Sequence, residues 1–103
     1  MVPRVWRAES LWDRMRGLLG RPMLAADEAL LIEPCASVHT VGMRYSLDLA
    51  FLDGEGRICE LKRDVRPLRL AASRGARATL ELAAGAADAL GLRPGAALVW
   101  REA

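Results

Sequence analysis

The chain has 103 residues, of which 52% are hydrophobic and 27% are charged, and its formal net charge is +2. That length allows one domain, and that apolar content excludes a disordered chain because it can offset the entropy lost on folding. No apolar stretch approaches the roughly 20 residues that cross a bilayer, and no apolar segment follows the basic start as in a secretory signal. We therefore expect a single domain over residues 1–103, located in the cytoplasm and without membrane insertion.

The first half of the chain contains one predicted helix among short strands. Alternating apolar residues predict a strand at Val2–Trp6. Ser10 and Asp13 suit the first turn of an amphipathic helix of about nine residues. Short apolar or β-compatible runs then predict strands at 29–32 and 37–40.

A β-hairpin is predicted in the middle of the chain. Leu47–Leu52 is the strongest strand, Asp53–Gly56 is the turn, and Arg57–Lys62 is the returning strand. The Asp-Gly pair supports this prediction because it supplies the positive φ that a tight turn needs. Strict alternation along the returning strand predicts that Ile58 and Glu60 share one face.

The last part of the chain alternates between loop, strand and helix. Residues 64–77 are predicted as an irregular loop, 78–82 as a strand, 84–90 as a helix that Gly91 ends, and 97–100 as the last strand. About six short strands separated by turns indicate a mainly β protein. We predict a compact antiparallel β-sandwich or barrel with one or two short helices.

The charges are unevenly distributed along the chain. Residues 57–77 carry seven Arg or Lys against two acids, whereas residues 22–56 carry one Arg against six acids. Runs of this kind usually mark a solvated surface. Aromatic residues, on which nucleic-acid bases would stack, make up only 5% of the chain, so we expect no nucleic-acid partner.

Cys35, His39 and Met43 stand at intervals of four and suggest a metal site. A blue-copper site needs two imidazoles, however, and His39 is the only histidine. A structural zinc site is one ligand short even with Cys59. We expect no cofactor and keep a metal site at Cys35 and His39 as the weaker alternative. Both cysteines are expected to be reduced, although a Cys35–Cys59 bridge would be possible in an oxidising compartment.

Cys35 with His39 as its base would make the chain a small enzyme or redox protein. Residues four apart on one strand are separated by about 13 Å, so direct contact needs a turn between them. No Asn or Asp that would orient the imidazole stands beside His39, and no partner lowers the pKa of the Cys35 thiol. Catalysis by these two residues therefore stays the alternative to a non-enzymatic domain.

Two acids interrupt otherwise apolar strands. Asp48 shares a strand face with Ala50 and Leu52, and Glu81 stands among the apolar residues of 79–82. Surface placement is the more common explanation for an acid in such a strand, and a partner arginine is the other.

Four blocks of residues stand in a familiar order: Met15–Arg21, His39–Asp53, Leu80–Gly85 and Gly91–Gly95. They resemble the domain of unknown function 192 family, with its Met-Lys/Arg and Leu/Ile-Asp central block and its Leu-Glu-Leu-Pro-Ala-Gly segment. Gly42, Ser46 and Ala83 depart from the pattern, since the family has an aromatic residue and two prolines there. The resemblance implies a compact β fold with small helical pieces in a bacterial or archaeal protein, and no established activity.

The resemblance and the two strand acids together define a candidate ligand site. Its residues are Arg21, His39, Met43, Arg44, Asp48 and Glu81. Arg21–Asp48 or Arg44–Glu81 ion pairs are the structural interpretation, and an anionic small-molecule pocket is the functional one. We predict a non-enzymatic accessory or binding domain for a small polar or anionic ligand or a peptide. Its partner is expected to be a small molecule or a protein, and the chain a monomer or weak homo-oligomer.

Overall fold

Eight strands and one short helix make up the described part of the chain. A computed structural model describes residues 1–7, 24–33, 37–39 and 45–102. The radius of gyration is 12.0 Å, as expected of a compact chain of this length. The elements are β1 (Val2–Arg7), β2 (Glu28–Ile32), β3 (Ser37–His39), β4 (Leu47–Leu52), β5 (Ile58–Val65), β6 (Leu70–Ala72), β7 (Ala78–Ala83), α1 (Ala86–Ala89) and β8 (Trp100–Glu102).

Six of these strands form one mixed sheet in the order β5-β4-β7-β2-β1-β8, and β3 pairs with β6 in a second, two-stranded sheet. The mainly β fold with a short helix is confirmed. The large sheet is not purely antiparallel, because β1 runs parallel to both β2 and β8. The long connection between Arg7 and Glu28 allows this, since a parallel pair needs a crossover of about a dozen residues or more. The large sheet is open and not closed into a barrel, with β5 and β8 at its edges.

Apolar cores cover both faces of the large sheet. Ala50 and Leu52 of β4 lie in the first core, whereas Leu49 and Phe51 lie in the second. The first core also contains residues of α1, and the second contains Ala71 of β6. Because both faces are covered, every residue of β4 is buried.

The predicted hairpin is formed by β4 and β5, but β5 contains a bulge near its start. Leu52 pairs with Ile58 and Phe51 pairs with Glu60, so that Cys59 is an extra residue. Ile58 therefore packs in the first core, while Glu60 lies opposite a residue of the second. The prediction that Ile58 and Glu60 share a face is wrong, because a bulge shifts the two-residue period by one.

A buried carboxylate lies opposite a second irregularity of β5. Asp48 is 1% exposed. Its Oδ1 accepts a hydrogen bond from the N–H of Asp64 at 2.9 Å, and its Oδ2 accepts from the N–H groups of Gly85 and Ala87 at 3.0 Å each. Asp64 has a φ of 53°, a left-handed conformation that Asp tolerates better than most residues. Asp48 thus ties β4 to both β5 and the start of α1.

Other predicted boundaries shift by a few residues. Residues 64–77, predicted as a loop, contain the end of β5 and all of β6. The last strand begins at Trp100, and Ala97 instead forms an isolated bridge to Arg57. The helix predicted from Ser10 lies outside the described residues. Within residues 1–7, 24–33, 37–39 and 45–102, no helix is long and apolar enough to cross a membrane.

Replacing Asp48 tests its role as a tie between elements. We expect Asp48→Ala to lower the free energy of unfolding by about 4 kcal/mol, because it leaves three backbone N–H groups without an acceptor. Asp48→Asn keeps one carbonyl oxygen and should cost about 2 kcal/mol. Urea unfolding followed by circular dichroism measures both. Glu55→Gln, at a side chain that is 84% exposed, is the control and should leave the midpoint unchanged. An Asp48→Ala midpoint equal to that of the wild type would contradict the assignment.

Candidate functional site

The residues predicted as a ligand site do not form one cluster in the described part of the chain. Asp48 pairs with Leu82 and Glu81 pairs with Leu49 across the same two strands. Since Leu82 belongs to the first core and Leu49 to the second, the two acids lie on opposite faces of the sheet. His39 is the last residue of β3 and pairs with Leu70. Three further predicted residues lie outside the described residues: Arg21, Met43 and Arg44.

Surface placement, the more common explanation for the two strand acids, is wrong for both. Asp48 is 1% exposed and Glu81 is 3% exposed, because neither face of the sheet is open to solvent. The burial of Asp48 is explained by its three backbone donors. Oδ2 of Asp48 accepts from the N–H of Gly85, so a hydrogen bond joins two positions that match the pattern of the domain of unknown function 192 (DUF192) family. These contacts indicate a structural role for Asp48.

Glu81 lies close to the only tyrosine of the chain. Tyr45 packs against the second core, and its hydroxyl is buried without a hydrogen-bond partner among the described residues. Burial raises the pKa of Tyr45 above its ordinary value, and the negative charge of Glu81 raises it further. Tyr45 and Glu81 thus place two polar side chains beside the otherwise apolar second core.

The thiol of Cys59 lies at the bulge of β5 and is free. Its Sγ is 3.3 Å from the carbonyl oxygen of Phe51 and 3.9 Å from Oγ of Ser73. Ser73 also donates to Glu60 and thereby lowers the pKa of that carboxyl. Cys35 lies outside the described residues. Among residues 1–7, 24–33, 37–39 and 45–102, no three His, Cys, Asp or Glu side chains cluster in a way that could hold a metal ion.

A cleft of about 300 Å³ opens where several strands of the large sheet end. Buried side chains of Leu31, Leu52 and Leu98 contribute to its lining. The turn after β4 forms one side, and Trp100 stands at the other. The complete lining is Arg7, Leu31, Glu33, Leu52, Asp53, Gly54, Glu55, Gly56, Ala78, Leu98 and Trp100.

Carboxylates outnumber cations around this cleft. Glu33, Asp53 and Glu55 line it, and Arg7 is the one basic residue among its lining residues. The Arg7 guanidinium lies 5.9 Å from the centre of the Trp100 ring and 3.7 Å from Oε1 of Glu33. Its charge therefore already interacts with an aromatic ring and with a carboxylate of the chain. The cleft therefore combines an apolar lining with a mostly acidic edge.

Asp53 is held in its ionised form by the turn that contains it. Its Oδ1 accepts from the N–H of Arg57 at 3.0 Å and from the N–H of Glu55 at 2.9 Å. These two backbone donors lower the pKa of Asp53 below its ordinary value. Within the described part of the chain no group donates to Oδ2, which leaves this oxygen able to accept from a ligand.

Sequence reasoning did not find this cleft. The sequence predicts Asp53–Gly56 only as a turn and Trp100 only as part of the last strand. The lining comes from five separate segments, four of which meet because β1, β2 and β4 end, and β7 begins, at the same side of the sheet. The fifth segment precedes and begins β8, and the N–H of Leu98 joins it to the turn by donating to the carbonyl oxygen of Gly56. The acidic character of residues 22–56 was the single signal that pointed toward it.

Replacing Tyr45 tests whether its buried hydroxyl lowers the free energy of unfolding. We expect Tyr45→Phe to be neutral or to raise the free energy of unfolding by about 1 kcal/mol, because the buried hydroxyl that it removes has no partner among the described residues. Burial and the charge of Glu81 disfavour the tyrosinate form in the folded protein, so the wild-type fold loses stability as the pH rises from the ordinary pKa of 10.0 through the raised folded-state pKa. The urea midpoint of the wild type should therefore fall between neutral pH and a pH above about 10, and the midpoint of the variant should fall less.

The absorbance of tyrosinate gives an independent measurement of the same group. Because Tyr45 is the only tyrosine, its titration is read directly from the folded protein. We expect a midpoint above 10.0. A lower midpoint, or a Tyr45→Phe variant that is clearly less stable, would show that the hydroxyl has a partner.

The fold is shared with two crystal structures. A protein of unknown function from Novosphingobium aromaticivorans DSM 12444 superimposes with a TM-score of 0.78 at 23% sequence identity, covering 88% of this chain and 70% of that chain. A proposed transcription regulator from Sinorhizobium meliloti 1021 superimposes with a TM-score of 0.79 at 26% identity, covering 88% and 76%. No curated protein matches the sequence.

The family model of DUF192, described as an uncharacterized ACR, matches residues 2–100. This match covers nearly the whole chain, including all four blocks that resemble the family. Neither the family nor the two similar structures has an established catalytic activity. The chain is therefore a member of the DUF192 family.

Proposed function

We propose that this chain is a non-enzymatic binding domain whose cleft holds an apolar group that carries a positive charge. One observation carries the proposal: the same concave site combines buried leucine side chains with three carboxylates. The binding role predicted from the sequence is kept in this proposal. The charge of the ligand is the reverse of the anionic one expected there.

The apolar lining gives the ligand a limited contact. Leu31, Leu52 and Leu98 are each less than a tenth exposed, so a ligand meets only the small part of these side chains that the first core leaves uncovered. Burying each methylene of a ligand contributes about 0.8 kcal/mol. A cleft of about 300 Å³ is at the small end of ligand sites. It therefore suits a small molecule or one long side chain of a peptide.

The carboxylates select the charge of the ligand. Asp53 is ionised at neutral pH, and the N–H groups of Arg57 and Glu55 lower its pKa further below the ordinary value. Arg7 lies against Glu33 and Trp100, so the charges of Arg7 and Glu33 offset each other, and Asp53 and Glu55 give the cleft lining its net negative charge. A lysine-like alkylammonium group matches this arrangement, with its methylenes against the leucines and its ammonium at the acidic edge.

The location of the chain belongs to the same proposal. We place the domain in the cytoplasm, where the exposed free thiol of Cys59 would remain reduced. The alternative of an enzyme or metal protein at Cys35 and His39 stays a prediction, because Cys35 lies outside the described residues.

A titration with n-butylammonium tests the charge and position of the ligand. We expect saturable shifts of the amide signals of Gly54 and Gly56 and of the Trp100 indole in nitrogen-15 NMR spectra. The expected dissociation constant is about 1 mM, equivalent to about 4 kcal/mol. Butyrate, which has the same chain and the opposite charge, should cause no saturable shift.

Charge variants separate the cleft from the general surface. The Glu33→Gln and Glu55→Gln double variant should weaken butylammonium binding about fivefold, equivalent to about 1 kcal/mol. Asp88→Asn is the matched control, because Asp88 is an exposed acid beside Arg63 and is not part of the cleft lining. Equal binding of butyrate, or shifts that cluster away from residues 52–56 and 98–100, would refute the proposal.

A further inference from the structure

We propose that residues 66–77 form a surface that adsorbs to an anionic lipid bilayer. The surface begins with the loop Arg66–Arg69 between β5 and β6 and continues through β6 to the start of β7. It shares no residue with the cleft lining, so this inference is independent of the proposed function.

Two leucines protrude from this surface. Leu68 is 69% exposed and Leu70 is 77% exposed, the highest values among the large apolar side chains of the described residues. Leu70 is followed by Ala71, which is 5% exposed and belongs to the second core. Strand alternation therefore directs Leu70 away from the core and into solvent.

The backbone of the loop is unusual at one of these leucines. Leu68 has a φ of 63°, in the left-handed region where a β-carbon is crowded. Glycine would occupy this position without strain. A leucine that contributes almost nothing to the core thus occupies a position whose backbone favours glycine. Backbone outliers of this kind cluster at functional sites.

The segment that carries the leucines is basic in sequence, and it runs from the Leu47 end of β4, where Val65 pairs, to the Leu52 end, where Ala78 pairs. Residues 66–77 contain Arg66, Arg69, Arg74 and Arg77 and no acid. Arg74 and Arg77 form no ion pair with any residue that the structure describes. Basic residues near a surface that bears anionic lipids each contribute to binding, and the cytoplasmic leaflet carries such lipids.

A bilayer fits this surface better than a nucleic acid or an acidic protein does. A protein partner would need a recess for the loop, and phosphate contacts alone make no use of exposed leucines. Adsorption to a bilayer uses both features, since leucines enter the interface while arginines remain at the headgroups. It requires no membrane-spanning segment.

Vesicle co-sedimentation of the full chain tests the proposal. We expect binding to phosphatidylcholine vesicles that contain about 30% phosphatidylserine, and at least tenfold weaker binding to phosphatidylcholine alone. Raising the salt from about 0.1 M to about 0.5 M should weaken binding by a similar factor. Equal binding to both vesicles, or no binding to either, would overturn the proposal.

Two leucine variants separate adsorption from simple charge attraction. Leu68→Gly should weaken vesicle binding about tenfold while maintaining or raising the melting temperature, because glycine relieves the left-handed backbone. Leu70→Ser should weaken binding to a similar degree. Val99→Ser is the control, because Val99 is 59% exposed and lies outside residues 66–77. It should bind like the wild type.

Binding of a duplex DNA tests the remaining alternative, which is that residues 66–77 bind any polyanion. Binding of DNA that is tighter than binding of the vesicles and unchanged by Leu68→Gly would show a general polyanion surface and overturn the proposal. Loss of vesicle binding in Arg74→Gln together with loss in Leu68→Gly supports it, since both features are then required.

Discussion

The carboxylate of Asp48 joins β4, the irregular end of β5 and the start of α1. It belongs to the second residue of the most buried strand and accepts from the backbone of Asp64, Gly85 and Ala87. The irregular end of β5 and the start of α1 therefore both depend on one side chain. Gly85 precedes α1 with a φ of 88° and has no side chain to cap the helix, so Asp48 supplies the acceptor from a neighbouring strand.

Coverage of both faces of the large sheet explains why acids occur inside apolar strands. A strand with one open face can direct an acid to solvent, whereas β4 and β7 have no open face. The carboxylate of each acid must then accept hydrogen bonds from groups within the fold, because an uncompensated buried charge is costly. Asp48 meets this requirement with backbone N–H groups. Glu81 lies on the other face, where its charge raises the pKa of Tyr45.

Local patterns in the sequence were sufficient for most of the strands and for the family. The strand Leu47–Leu52 and its hairpin follow from alternation and an Asp-Gly turn, and both were predicted. The bulge at Cys59 was not predictable, because nothing in Ile58–Leu61 departs from regular alternation. The parallel placement of β1 was also missed, since strand direction depends on the long connection and not on the strand itself. Asp48 and Glu81 were identified as unusual, but their separation onto opposite faces follows only from the register of β4 with β7.

Features available for binding are found at strand ends and in connections. The central strands are occupied on both faces by packing, so their polar groups serve the fold. The base of the cleft belongs to the first core, because Leu31, Leu52 and Leu98 are part of that core, whereas the acidic edge of the cleft and the Arg66–Arg69 loop use residues outside both cores. Substitutions there change charge and shape at little cost to stability, whereas substitutions at Asp48 disturb several elements at once.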